Sequence, residues 1–159
     1  MGNRRNHSNR MKPALLAGLA LGATLLVAAA GDPAGDALIP ARQAAFRLSG
    51  TVFGGMKPAI DRGDDVKTLV PASKALAGWA HALPGMFPAG SDGAATKALP
   101  NVWSDKAGFA KAAAAYADAA DKLATLAAAG DQPGFAAQWG VVRQSCKACH
   151  DTYHAPTPH

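Results

Sequence analysis

Cys146-Lys147-Ala148-Cys149-His150 reads as Cys-x-x-Cys-His, the attachment signature of a c-type haem. In that chemistry both cysteine sulfurs add to the haem vinyl groups, and the histidine binds iron from the face that the cysteines fix. The spacing has a mechanical reason. On a helix advancing about 100° per residue, Cys149 lies roughly 60° to one side of Cys146 and His150 roughly 40° to the other. All three point toward one side, where a flat macrocycle can lie. The same pair could instead form a redox disulfide or supply half of a zinc site. A dithiol oxidoreductase usually carries its pair at the start of a helix after a strand, and no strand pattern precedes this one. A zinc site wants four ligands, and there is no second Cys pair. A haem-free helical protein with a Cys146–Cys149 redox disulfide remains the alternative from another class.

The elements that must hold this motif read as helices. From Leu38, the residues Ile39, Arg42, Phe46, Ser49, Phe53, Met56 and Ile60 recur at three and four, which predicts a first helix after a loose lead-in over 31–37. Gly50, Gly54 and Gly55 weaken it and suggest that a neighbouring element comes close, and Pro58 predicts a kink or an early end. Asp61 to Asp65 form a turn with N-cap candidates. A second helix follows to about Leu83, with Val66, Leu69, Val70, Ser73, Leu76, Trp79 and Ala80 on its stripe. Pro71 divides it and Pro84 stops it.

Residues 84–102 form a long connection rich in Pro and Gly, of a length that often carries function. Phe87 and Trp103 at its ends read either as covers for a buried cofactor or as packing against helix ends. Ser104 is the expected N-cap of an alanine-rich third helix ending at Gly130. Asp131 caps a fourth, with Pro133 in its first turn. Phe135, Trp139, Val142, Cys146, Cys149, His150 and Tyr153 share one side of that helix, so the apolar stripe and the haem motif coincide. The reading is all-α, an antiparallel four-helix bundle with a covalently bound haem near the C-terminus. With only 5 Phe, 3 Trp and 2 Tyr in 159 residues, much of the core must come from the macrocycle. The chain without haem is therefore expected to be poorly folded.

Residues 1–30 read as a cleaved signal peptide. Arg4, Arg5, Arg10 and Lys12 precede an apolar run over 14–30 that ends in Ala28-Ala29-Ala30. The run falls short of the roughly 20 residues that span a bilayer comfortably, so no stable membrane insertion is expected after cleavage. The expected location is the periplasm, and residues 31–159 form one domain. Four of the sixteen basic residues leave with the leader while all eleven acids stay, leaving twelve against eleven and a net charge of +1. The high pI thus belongs mostly to the leader, and nothing indicates nucleic-acid binding.

Three stretches give the chain a family resemblance. Ala41-Arg42-Gln43-Ala44-Ala45-Phe46, Phe87-Pro88-Ala89-Gly90 and Cys146 to Tyr153 resemble the first helix, central loop and haem-binding end of cytochrome c′, a class II cytochrome c. With the helix order, the resemblance covers nearly all of residues 36–154. It implies a left-handed four-helix bundle, often a homodimer through the first two helices, with one covalently attached haem c. It also implies that His150 is the only protein ligand to iron and that Arg42 lies beside a haem propionate. The residue facing the open side is then Phe46. Methionine there would complete a six-coordinate electron carrier. Phenylalanine has no donor atom, which implies five-coordinate, high-spin iron open to small diatomics such as NO and CO. One departure is His154, where the family usually has Arg or Lys.

The expected function is that of a non-enzymatic haem protein that binds gases, in nitric oxide buffering or in electron transfer with a redox partner protein. The alternative is a low-spin class II cytochrome c acting purely as an electron carrier, with Met56 or Met86 as the hidden sixth ligand.

Overall fold

The computed structural model describes residues 1–2 and 33–156. The leader expected over residues 1–30 lies almost wholly outside these residues. Four long helices carry the fold: α1 (Pro33–Arg62), α2 (Val70–Ala82), α4 (Lys106–Ala129) and α5 (Gln132–Tyr153). A short helical turn, α3 (Asn101–Ser104), precedes α4. Single 3₁₀ turns cover Val66–Leu69 and Leu83–Met86. Among the described residues the sole β pairing is an isolated bridge between Ala98 and His154.

The helix ends follow local chemistry. Gly63 and Gly130 adopt φ of 73° and 72° and close α1 and α4. Asp64 N donates to the Ala59 carbonyl and Asp131 N to the Leu126 carbonyl, each at 3.0–3.1 Å, the double-bonded termination that a left-handed glycine permits. Asp131 then turns directly into the next cap, its carboxylate accepting from Gly134 N. Asp65 caps the 3₁₀ turn before α2 by accepting from Lys67 N, and Pro71 sits in the first turn of α2, where its missing N–H costs nothing.

Several expectations are corrected. Helix α1 starts at Pro33 rather than Leu38, so the lead-in is helical; Ile39, in its second turn, is buried to 2% exposure. Pro58 does not end α1, which runs on to Arg62. The carbonyl it orphans belongs to Gly54, an exposed residue whose oxygen can turn to water. Nothing in the chain comes within 4 Å of a side-chain carbon built at Gly50, Gly54 or Gly55. These glycines therefore admit no neighbouring element of the same chain. The cap of α4 is Asp105, accepting from Gly108 N, because Ser104 is consumed as the last residue of α3.

Helix α4 is the hub. It packs on α2 and on α5, and its buried Ala113, Ala117, Ala120 and Ala127 let both come close. Helix α1 is held more loosely, mainly against α2, and its backbone hardly approaches α5. One aromatic pin joins α1 to α5. Phe53 and Trp139 stack at 4.6 Å and 4°, and Trp139 Nε1 donates to the Phe53 carbonyl at 3.1 Å. Beyond this pin the two helices part and leave a crevice that runs to the 87–100 loop.

This arrangement predicts which part of the bundle depends on the group in the crevice. In a Cys146→Ser/Cys149→Ser chain, which cannot attach haem, amide hydrogen exchange should show α1 losing most of its protection. Helices α4 and α5 should lose much less. Equal protection of α1 with and without haem would contradict this.

Candidate haem site

Cys146, Cys149 and His150 occupy the last turns of α5 on the crevice side. The cysteines are free and half-buried. Across the crevice stands half-buried Phe46 from α1, its ring centroid 6.5 Å from that of His150 at 68°. The crevice has two lobes that meet at Phe46, Leu83, Cys149 and His150. The larger, about 350 Å³, is bordered by Arg42, Phe87, Phe109, Tyr153 and His154. The smaller, about 200 Å³, is bordered by Phe53, Leu76, Trp79, Tyr116 and Cys146. Together they fall in the range of cofactor-sized cavities and are walled chiefly by apolar side chains.

The end of α5 is fixed by bonds to the connection before α4. Tyr153 Oη donates to Asp105 Oδ2 at 3.0 Å, so one carboxylate serves both this phenol and the α4 cap. Leu99 N donates to the Tyr153 carbonyl at 2.9 Å, Ala155 N to the Lys97 carbonyl at 2.8 Å, and Asn101 Nδ2 to the Thr152 carbonyl at 2.8 Å. The motif is therefore presented from a braced helix end.

Arg42 closes the other wall. It is buried to 2% exposure, which excludes a solvated surface role. Nη1 donates to Ser91 Oγ at 2.9 Å and the Met86 carbonyl at 3.3 Å; Nη2 donates to the Ser91 carbonyl at 2.7 Å and Thr96 Oγ1 at 2.6 Å. The guanidinium lies 4.6 Å from the Phe87 ring centroid and 5.6 Å from that of Trp103. Desolvation pulls its pKa below the usual arginine value, with Asp92 pulling the other way. Phe87 borders the larger lobe, as the cover reading expected. Trp103 borders neither lobe and instead donates Nε1 to the Pro88 carbonyl at 3.0 Å, locking the loop from behind.

The protonation states suit iron ligation better than thiol redox chemistry. Burial pushes both thiols up, Cys149 adding to the effect at Cys146, whereas a reactive Cys-x-x-Cys pair has a lowered thiol pKa. Burial lowers His150, and nearby His154 lowers it further against the pull of Asp151. The neutral imidazole, the iron-binding form, is therefore favoured. The His154 ring lies 5.3 Å from that of His150 and borders the same lobe. Met56 is buried in the core, and neither it nor Met86 borders either lobe. His81 sits on an exposed face, with Nε2 2.8 Å from Asp121 Oδ2. Sequence reasoning missed Tyr116, Phe109 and Leu83 as crevice residues. The signal for Tyr116 was its place as the one aromatic residue on the stripe Ala107, Ala110, Ala113, Tyr116, Ala120, Leu123 and Ala127 of α4.

A two-lobed apolar slot with two thiols and a neutral imidazole on one wall fits a covalently held haem.

Comparison with known proteins points the same way. The family model described as Cytochrome C' matches residues 37–154. The cytochrome c' of Alcaligenes xylosoxydans xylosoxydans is 38% identical over 119 residues, covering 70% of this chain and 88% of the relative. That of Rubrivivax gelatinosus is 38% identical over 122 residues, covering 75% and 94%. Among solved structures, a nitric oxide complex of a point mutant of cytochrome c prime from Alcaligenes xylosoxidans superposes with a TM-score of 0.72 at 31% identity. It covers 77% of this chain and 97% of its own. A carbon monoxide-bound variant of the same protein gives 0.71 with the same coverage.

The bonds of Arg42 predict a cost for removing it. Arg42→Ala should lower stability by about 3 kcal/mol, since hydrogen bonds to a charged group are worth roughly 1.5–3 kcal/mol each and buried Ser91 loses its donors. Arg42→Lys should recover little, because one ammonium cannot reproduce the fork. Thermal unfolding of the haem-loaded variants measures both, and an unchanged Tm for Arg42→Ala would contradict the clamp.

Proposed function

The chain belongs to the cytochrome c′ family, with a covalently attached haem c as its cofactor, and we propose that it binds small gases at five-coordinate, high-spin iron. In this reading Cys146 and Cys149 would hold the haem through thioether bonds, and His150 would be the one iron ligand that the protein supplies. When bound, the haem supplies a ferrous iron able to take NO or CO. Everything else is the work of the chain. Arg42 and its loop form one wall of the larger lobe. The braced end of α5 fixes the imidazole, and apolar walls keep out water and charged ligands. The observation that carries this reading is Phe46 standing opposite His150 with no donor atom, while neither Met56 nor Met86 borders the crevice. The same observation disfavours the purely electron-carrying alternative, which needs a sixth ligand. NO and CO complexes of the relative from Alcaligenes xylosoxidans support the choice of gases.

The role proposed is nitric oxide buffering in the periplasm after loss of the leader, with a redox partner protein to reset the iron. The leader composition of residues 1–30 supports that location. Among the described residues no helix is long and apolar enough to cross a membrane. A homodimer through α1 is part of this proposal. Ala41, Ala44, Leu48, Thr51, Gly55 and Pro58 recur at three and four on an exposed face, Leu48 with 67% exposure. Leu48→Glu should give a monomer by sedimentation; a dimer unaffected by this change would place the contact elsewhere.

Optical spectra test the central reading. The ferrous haem-loaded protein should show a broad high-spin Soret band that shifts on CO addition. Phe46→Met should move the spectrum toward a six-coordinate form with sharp α and β bands. Sharp bands and no CO response in the parent protein would overturn the five-coordinate assignment. An unchanged spectrum in Phe46→Met would overturn the position given to Phe46.

A further inference from the structure

Most polar groups around the smaller lobe are already committed within the chain. Ser49 Oγ donates to the Phe46 carbonyl at 2.9 Å and Ser145 Oγ to the Val142 carbonyl at 2.7 Å. Trp79 Nε1 has no partner but is sealed off by its neighbours, its ring packed at 5.1 Å and 86° against Phe46. Arg42 and Gln43 border only the larger lobe and are tied to the loop.

Tyr116 is different. It is 7% exposed, it borders the smaller lobe with Cys146, and its hydroxyl has no hydrogen-bond partner among the described residues. Nor is that oxygen sealed off as Trp79 Nε1 is. A phenylalanine would fill the same space without carrying an unpaired hydroxyl into an apolar cavity, so the group calls for an acceptor that the chain does not supply. Haem chemistry narrows the choice. The carboxylates of a haem lie on the edge opposite the thioether bonds, and the smaller lobe is on the Cys146 side. The macrocycle thus brings no oxygen there, whereas a gas held on the Phe46 face carries a polar outer atom.

We propose that the Tyr116 hydroxyl is the hydrogen-bond donor to the outer atom of a diatomic gas bound in this crevice, and that it sets the preference among gases. The inference rests on the gas-binding reading above. Burial pushes the phenol pKa up, so the donor stays protonated throughout the ordinary pH range. Bound ligands whose outer atom gathers more negative charge gain more from this contact, so an otherwise apolar crevice acquires a ranking.

The test uses haem-loaded protein, ferrous and saturated with CO, comparing the parent with Tyr116→Phe. Removing the donor should raise the C–O stretching frequency and speed CO dissociation roughly three- to tenfold, the worth of one neutral hydrogen bond. Transfer into D₂O should shift the parent's ligand bands and leave those of Tyr116→Phe in place, a signature that a packing role would not give. A C–O band unmoved by Tyr116→Phe overturns the inference and leaves gas binding standing. A changed reduction potential with an unmoved C–O band assigns the hydroxyl to the Cys146 sulfur and overturns it equally. Failure of the parent protein to bind CO overturns the functional reading together with this one.

Discussion

A guanidinium buried to 2% exposure must find acceptors, and the way Arg42 finds them organises this structure. Its partners lie 44 to 54 residues away, in the one long connection of the fold. Bonding them draws the 86–96 segment over the N-terminal half of α1 and sets Phe87 at the crevice wall. Without that demand the segment would have little reason to adopt one conformation, because it contains no regular structure beyond short turns. One turn further along α1, Phe46 is thereby held at a fixed height over the crevice. A charge in the core is seldom the cheapest way to stabilise a fold. Here it specifies where a loop goes, and the loop decides how wide the cofactor slot is.

The two walls of that slot are not equally stiff. Helix α5 is packed along α4, and its last turn is tied to the preceding connection through Tyr153, Thr152 and Ala155. Helix α1 rests on α2, on the Phe53–Trp139 pin and on the Arg42 network. The motif that must hold a covalent group in one orientation thus sits on the rigid wall. Phe46, which faces His150 across the slot, sits on the softer one. An alanine-rich α4 makes this division workable. Its thin face lets α2 and α5 close around it, while α1 and α5 stay separated by the thickness of a cofactor.

The sequence made the bundle legible because apolar residues recur at three and four along each long helix, and because Gly130-Asp131 and Asp131-Gln132-Pro133 punctuate the chain with unambiguous chemistry. The attachment motif was legible because its spacing has a geometric meaning on a helix. Boundaries set by tertiary contacts were not legible. The first turn of α1 read as a loop from its Gly, Asp and Pro content, yet it is helical and Gly35 is buried within it. Ser104 read as the cap of α4, and the extra turn of α3 hands the task to Asp105. The partners of Arg42 could not be read at all, since no local pattern links residues 50 positions apart. Tyr116 was visible only as an oddity on an alanine stripe.

Protonation gives the site its final asymmetry. Burial disfavours both thiolate and imidazolium. The shifts follow this pattern: both thiols are raised and His150 is lowered, with His154 reinforcing the latter. The α5 wall thus holds its reactive groups in neutral forms. A neutral imidazole competes well for iron because no proton must leave first. The α1 wall answers with an aromatic ring that offers no lone pair and is itself packed edge-on against Trp79 at 5.1 Å. One side of the slot offers an imidazole lone pair and the other offers none. The proposed vacancy at the sixth position follows from these two walls of opposite chemistry, and a small gas is the ligand it would admit.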